Sequence, residues 1–307
     1  MNTEVQPIGS PCTGVCTVDE VSGYCLGCAR TSDEIAEWSK AGNDRKRAIW
    51  AALPPRMEQL GIAVTRLPWL PDEVAGFIAD TLLQRSGTWV VGCHGATAEF
   101  MFGADEPAEV SVEGALQAVT ARAALRFTPR TDLRALQWHD PHAAGGVRAI
   151  FIVIPRPRNV SAPSLLLTDC GPDATAIQSE HRGETLFDLG LGREHMRFAV
   201  RSADPVLNAA LREATGLPFD ALLQRCGKTL LERNPTRVVE TPLGRIEVAT
   251  PIPAPGGKSP DGPHTHLLPG HLALQRATPA GVDLPEAYAL CATFYPRNPP
   301  EDPACRA

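Results

Sequence analysis

Residues 10–38 read SPCTGVCTVDEVSGYCLGCARTSDEIAEW. Cys12, Cys16, Cys25 and Cys28 fall within seventeen residues, as two close pairs with eight residues between them. Two close pairs on a short spacer can fold two chain turns onto one point. Four thiolates can then surround Zn²⁺ at about 2.3 Å or ligate an iron–sulfur cluster. Gly14, Gly23 and Gly27 lie within or beside the pairs. Glycine permits the positive-φ turns that aim backbone N–H groups at sulfur. Free structural cysteines and a redox dithiol are the competing readings. Cys25-Leu26-Gly27-Cys28 is a CxxC, but the preceding strand of a thioredoxin-like site is missing. Spacing alone leaves zinc and iron–sulfur both open, leaning to zinc because all four cysteines are local.

The residues that follow predict two helices. Thr31 is the expected N-cap of the first, and Glu34, three residues on, completes a capping box. Ile35 and Trp38 are expected on one face of it. Asn43 or Asp44 is expected to cap the second helix, whose apolar face includes Ile49, Ala52 and Leu53. Pro54-Pro55 is expected to end or bend that helix. Two short helices and a loop bury little surface, so such a unit needs a staple, and a metal site supplies one. Residues 1–60 therefore read as a tetracysteine metal- or cluster-binding module.

SPCTGVC, Asp19, GYCLGCARTSDEIAEW and RKRAIWAALPPR together resemble the small bacterial family called domain of unknown function 1289. Its members are described as predicted Fe–S proteins. The resemblance covers residues 10–56 and implies that Cys12, Cys16, Cys25 and Cys28 are the ligands. KAGNDRKRA (40–48) departs from the family's usual Ser/Glu-rich form. Arg30, just past the last ligand, either offsets the negative charge of four thiolates or is a surface arginine.

The chain has 307 residues, 43% of them hydrophobic and 21% charged, an ordinary soluble composition. Its formal net charge of −6 argues against a nucleic-acid protein that relies on a basic surface. The start, MNTEVQPIGSPC, has neither a basic nor an apolar leader segment. The longest apolar run, AIFIVIP (149–155), is too short to span a bilayer. A cytoplasmic protein without membrane or nucleic-acid partners is expected. In that compartment clustered cysteines bind metal or do redox work more often than they form disulfides.

A linker is expected over 61–70. The remainder, 71–307, reads as one α+β domain with a mainly antiparallel sheet, and a subdomain break is expected near 155–163. Pro71-Asp72-Glu73 opens a helix in which Val74, Phe77, Ile78 and Leu82 keep helical spacing. Strands are expected at 88–92, 97–102, 108–112, 121–127, 195–200 and 288–295. VRAIFIVI (147–154) is the strongest, a continuous β-branched run that suits burial on both faces. Asp204-Pro205 is an N-cap followed by proline at the first helical position. A second helix runs from Pro218 to about Arg233, and RVVETPLGRIEVAT (237–250) reads as a hairpin. Strands and helices come in batches, which gives α+β.

SPDGPHTHLLPGH (259–271) holds three of the eight histidines. In an extended segment, His264 and His266 share a face and can share a second metal. His271, Asp261 and Glu99 are further donor candidates. The competing reading is a structured loop with its histidines bonded to backbone carbonyls. GCHGATAEF (92–100) reads as a tight turn into a strand, and Trp138 to His142 as a polar turn. GTWVVGCHGATAEF and SPDGPHTHLLP are similar to domain of unknown function 6925, which implies no known activity. Cys226-Gly227-Lys228-Thr229 imitates a phosphate loop, but Leu222 stands where its first glycine belongs.

These readings converge on a cytoplasmic metal-binding protein. Its four-cysteine site holds an iron–sulfur cluster or zinc, and its α+β domain takes an unknown small-molecule or protein partner. The alternative is a metal-dependent enzyme using the His264/His266 loop, with the cysteine module structural or electron-transferring.

Overall fold

A computed structural model describes residues 8–93, 96–103, 105–107, 109–139, 147–156, 165–192, 196–253, 262–266 and 282–297. With elements numbered in chain order, two antiparallel sheets dominate it. The first has the order β1 (Val64–Arg66), β7 (Arg134–His139), β8 (Val147–Pro155), β15 (Tyr288–Pro296), β2 (Gly87–Cys93), β3 (Ala96–Phe100), β14 (His264–His266). The second has the order β4 (Glu109–Glu113), β5 (Ala115–Val119), β6 (Ala123–Phe127), β13 (Gly244–Val248), β12 (Thr236–Thr241), β11 (Arg197–Ser202), β10 (Thr185–Asp188), β9 (Thr168–Pro172). The described helices are α1 (Ser32–Glu37), α2 (Asn43–Gln59), α3 (Pro71–Leu83), α4 (Pro205–Glu213) and α5 (Phe219–Arg233), besides one 3-10 turn at Ser179–His181. The chain is α+β with a mainly antiparallel architecture, as the sequence predicts.

β8, an interior strand between β7 and β15, is apolar on both faces. Ile150, Ile152 and Ile154 join the core between the sheets, with Phe100, Leu125, Phe127, Phe198 and Ile246. Ala149, Phe151 and Val153 point the other way, into a cluster with Leu136, Val282 and Tyr288. α3 lays Val74, Ile78 and Leu82 into the inter-sheet core at the predicted spacing. α4 and α5 cover the β10–β11 end of the second sheet through Leu207, Leu211, Leu222 and Leu230. Asp204 caps α4 by accepting from the Leu207 amide at 2.9 Å. The 237–250 hairpin forms as β12 and β13, closing at Thr241 and Gly244.

Several local expectations are overturned. α2 does not end at Pro54-Pro55 but continues to Gln59. Both prolines lie on the exposed side, while Leu53 and Met57 are buried and hold the helix on course. Its N-cap is Gly42 rather than Asn43 or Asp44. Ile35 is exposed, and Glu34 takes the buried place. The expected linker supplies β1, which pairs with β7. Trp138 and His139 belong to β7 and not to a turn, and β5 pairs between β4 and β6 without a clear sequence signal. The expected break at 155–163 falls mostly on 157–164, outside the described residues.

Charge is buried as well as apolar bulk. On the second sheet's other face, Arg201 and Arg245 share Asp173 and Glu247, with Arg201 Nη1 to Glu247 Oε2 at 2.5 Å and Arg245 Nε to Glu247 Oε1 at 2.6 Å. Arg237 is 1% exposed, and burial pushes it down to about 10. Its Nε donates to Thr265 Oγ1 (3.1 Å), and Nη1 donates to Pro235 O (2.9 Å) and Asn234 Oδ1 (3.2 Å). Nη2 donates to the carbonyl and hydroxyl oxygens of Thr250. Replacing it would strand several buried acceptors, at about 1–3 kcal/mol each. Arg237→Met is therefore expected to cost at least about 3 kcal/mol in urea unfolding. A midpoint equal to wild type would show that these bonds contribute nothing net.

Candidate metal centre

The cysteine pairs sit on turns whose backbone is spent on holding them. Cys25 and Val18 form an isolated antiparallel bridge, as do Tyr24 and Thr31. The Cys28 and Ala29 amides both donate back to Cys25 O, at 3.2 and 2.7 Å. Gly14 has φ +84°, and its amide donates to Cys12 Sγ at 3.3 Å, the arrangement expected from the glycine spacing. Thr13 Oγ1 donates to Gly27 O at 2.9 Å and ties the two loops together. A Cβ on Gly27 would lie 2.5 Å from that hydroxyl. The position must therefore be glycine for the loops to approach this closely.

Cys25 and Cys28 are buried, Cys12 is half-buried and Cys16 exposed. Cys16 lies within electrostatic reach of both Cys12 and Cys25. The Cys16 thiol is pushed up, first by the Cys12 charge and then by burial, while Arg30 works the other way. Burial pushes Cys28 up against the opposing pull of Arg30. Among the described residues no group of three or more His, Cys, Asp or Glu is close enough to hold a metal ion as it stands. The donor set nonetheless fits a thiophilic cation. Like charges that cannot all ionise together are what a bound cation stabilises.

Arg30 is not a surface arginine. It is 3% exposed, its Nε donates to Cys28 Sγ at 3.4 Å, and its guanidinium lies 5.1 Å from the Trp38 ring centroid. The helices clamp the loops from the other side. Thr31 and Glu34 form the predicted capping box. Glu34 also pairs with Arg56 at 2.7 Å, and Arg56 stacks over Tyr24 at 4.8 Å.

The module is attached to the first sheet at Cys12 itself. Cys12 O accepts from Arg66 Nη1 at 3.2 Å and from the Tyr288 hydroxyl at 3.1 Å. Burial lowers Arg66, as does nearby Arg134. Beside this junction lies a cleft of about 510 Å³. Thr13, Val15, Leu26 and Gly27 form one wall, and Trp138 and the 282–286 segment form the other. The residues between the cysteines of each pair thus face the same space as the sheet.

The histidine segment lies elsewhere. β14 pairs with β3, placing His264 opposite Glu99 and His266 opposite Thr97. His264 is buried, with Nδ1 3.0 Å from Gly262 O and Nε2 3.6 Å from Glu99 Oε2. Asp261, His271 and the His266 side chain lie outside the described residues, as do His94 and His142. Three strand spacings and about five residues of strand separate His264 from Tyr288, roughly 20 Å. The two candidate metal sites do not share ligands. The Cys226–Thr229 stretch lies within α5, as expected.

A family model described as "Family of unknown function (DUF6925)" matches residues 73–307. The chain belongs to this family. Residues 10–57, with all four cysteines, match the model described as "Protein of unknown function (DUF1289)". Over 46 residues the chain is 41% identical to "Uncharacterized protein YdhL" of Escherichia coli strain K12. The same figures hold for YdhL of Shigella flexneri and of Escherichia coli O6:H1. The aligned stretch is 15% of this chain, and the chain spans 57% of the length of these relatives. No solved structure gives a significant match.

In this DUF6925 member, sequence reasoning missed Arg66 and Tyr288. They lie 54 and 276 residues from Cys12, so no local pattern could signal them. The Glu34–Arg56 pair was half visible, since Arg56 closes the N-terminal motif. Burial works to raise Glu34, but the Arg56 hydrogen bond and the Thr31 amide outweigh it and hold the carboxyl below its ordinary value. A carboxylate depressed on folding stabilises above its unfolded pKa and loses that contribution as pH falls through the folded one. Glu34→Gln is therefore expected to lower the unfolding midpoint at neutral pH and to approach wild type below the ordinary glutamate value of 4.5. Urea titrations at the two pH values, read by tryptophan fluorescence, check this.

Proposed function

We propose that the chain is a cytoplasmic metal-binding protein in which Cys12, Cys16, Cys25 and Cys28 hold an iron–sulfur cluster or zinc. The sheet domain, 71–307, takes a small-molecule or protein partner at the cleft beside the module. The observation that carries this reading is Arg30 buried against Cys28. A guanidinium stays charged, and a buried charge is costly without an opposite one. Cys28 Sγ is the hydrogen-bond acceptor at its side chain, with the Trp38 ring beside it. A neutral thiol is a weak acceptor, whereas a metal-bound thiolate is anionic. Four thiolates around a divalent cation carry two net negative charges. Arg30, and Arg66 at the Cys12 carbonyl, offset them.

A four-thiolate site is closed, which suits a structural, assembly or electron-transfer role rather than chemistry at the metal. Zinc would act as a staple, and a cluster would add one-electron exchange. The seven cysteines whose side chains are described form no disulfide with one another, which fits the cytoplasmic reading. No described helix is long and apolar enough to cross a membrane.

Anaerobic purification with metal and sulfide analysis tests the proposal. Iron with matching sulfide and a visible charge-transfer band would mean a cluster, and one colourless zinc a knuckle. A full-length chain that binds neither, with Cys25→Ser unfolding like wild type, would sink it. Arg30→Gln is expected to weaken metal retention by roughly 10–100-fold in chelator competition, the usual effect of losing a group that supports a ligand.

A further inference from the structure

β1 ends the first sheet, and β7 uses only one side of it. The His139 amide donates to Ala63 O at 3.0 Å, and the Leu67 amide donates to Ala135 O at 2.9 Å. Alternate residues bond across an antiparallel pair, so Val64 and Arg66 aim their N–H and C=O groups away from β7. At Arg66 the module lies against this edge: the guanidinium reaches Cys12 O, and Gly9 sits beside Pro68. At Val64 the edge is open. No described group is hydrogen-bonded to the outward Val64 N–H or C=O, and Val64 lines the cleft of about 510 Å³.

The walls of the cleft narrow what can pair there. On the module side Val15 and Leu26 are 43% and 42% exposed, an apolar surface left open to water. Trp138, the cross-strand partner of Val64, and Leu284 belong to the opposite wall. Charge on the lining is one-sided. Asp283 and Glu286 are exposed on it, and no lysine or arginine belongs to it. An open strand edge bonds an extended backbone, apolar walls take apolar side chains, and unopposed carboxylates call for a cation. A small amine satisfies the walls and the carboxylates, but not the paired donor and acceptor of Val64.

We propose that the cleft binds an extended, basic peptide segment of a partner protein as an added strand on β1. One partner residue exchanges both ladder hydrogen bonds with Val64. Residues directly opposite share a face, so its side chain lies on the Val64 and Trp138 side and is apolar. A lysine or arginine two positions away keeps that face and meets Asp283 or Glu286. This rests on the cleft being the partner site, and it does not depend on what the cysteines hold.

Titrating a blocked pentapeptide, Lys-Thr-Val-Thr-Lys, into the full-length chain tests this, read by amide hydrogen exchange and ¹⁵N shifts. Binding is expected to slow exchange of the Val64 amide by about tenfold or more. The double variant Asp283→Asn with Glu286→Gln, changed only at exposed positions, is expected to weaken binding by roughly tenfold. Methylating the nitrogen of the peptide's valine removes the donor to Val64 O, and is expected to weaken binding by about fivefold. The proposal is overturned if the peptide leaves Val64 exchange unchanged, or if the methylated peptide binds as tightly as its parent. Phenethylammonium is the small-molecule control. If it shifts the Val64 and Trp138 resonances while the peptide does not, the peptide proposal falls and the cleft keeps its place as a partner site. If neither probe moves those resonances, both fall.

Discussion

A buried guanidinium cannot shed its charge, and among the described residues four are buried: Arg30, Arg201, Arg237 and Arg245. Each must collect acceptors that the chain supplies from far away. Arg245 reaches Asp173 across 72 residues, and Arg201 reaches Glu247 across 46. Arg237 ties β12 to β14 through Thr265. Such pairs add little net stability over apolar packing, but breaking one leaves an uncompensated buried charge. The arrangement of β11, β12 and β13, and of β14 against them, is thereby fixed by charge as much as by hydrophobic contact. Arg30 differs from the other three because its acceptor is a sulfur atom.

That difference links fold to function. Asp173 and Glu247 are anionic by themselves, and Arg237 meets oxygen dipoles that fill its five N–H groups. Cys28 offers full charge only as a thiolate. The N-terminal module therefore has a charge pattern that is complete when its thiolates are bound to a cation. Its attachment through the Cys12 carbonyl to Arg66 and Tyr288 places the first cysteine loop directly on the sheet. Residues between the paired cysteines line the same cleft as Trp138. A change at the cysteines would be felt at that wall without any long relay.

Much of the candidate site was legible in the sequence. The four cysteines, the glycines that turn the loops and the Thr31–Glu34 capping box act over three or four residues, where spacing maps directly onto geometry. The same holds for α3, for the doubly buried β8 and for the Asp204 cap. Legibility failed where a distant partner decided the outcome. Ile35 should have been buried by its apolar character, but Glu34 has Arg56 to meet and takes the inner place. Pro54 and Pro55 should have stopped α2. Their lost hydrogen bonds face water, however, while Leu53 and Met57 pack inward. Three residues of an apparent linker became β1, because β7 offered them an edge.

By itself, then, the sequence determined the clustered cysteines, the turns that present them, the α+β class and the strand that anchors the core. These follow from short-range sterics, hydrogen-bond reach and the period of apolar residues. Only the tertiary structure decided that Arg30 is buried against Cys28, that Cys12 is pinned by Arg66 and Tyr288, and that His264 faces Glu99 some 20 Å from the cysteine module. Those contacts join residues up to 276 positions apart. Such pairings come from sheet order and register, which depend on how the whole chain closes rather than on any one stretch of it.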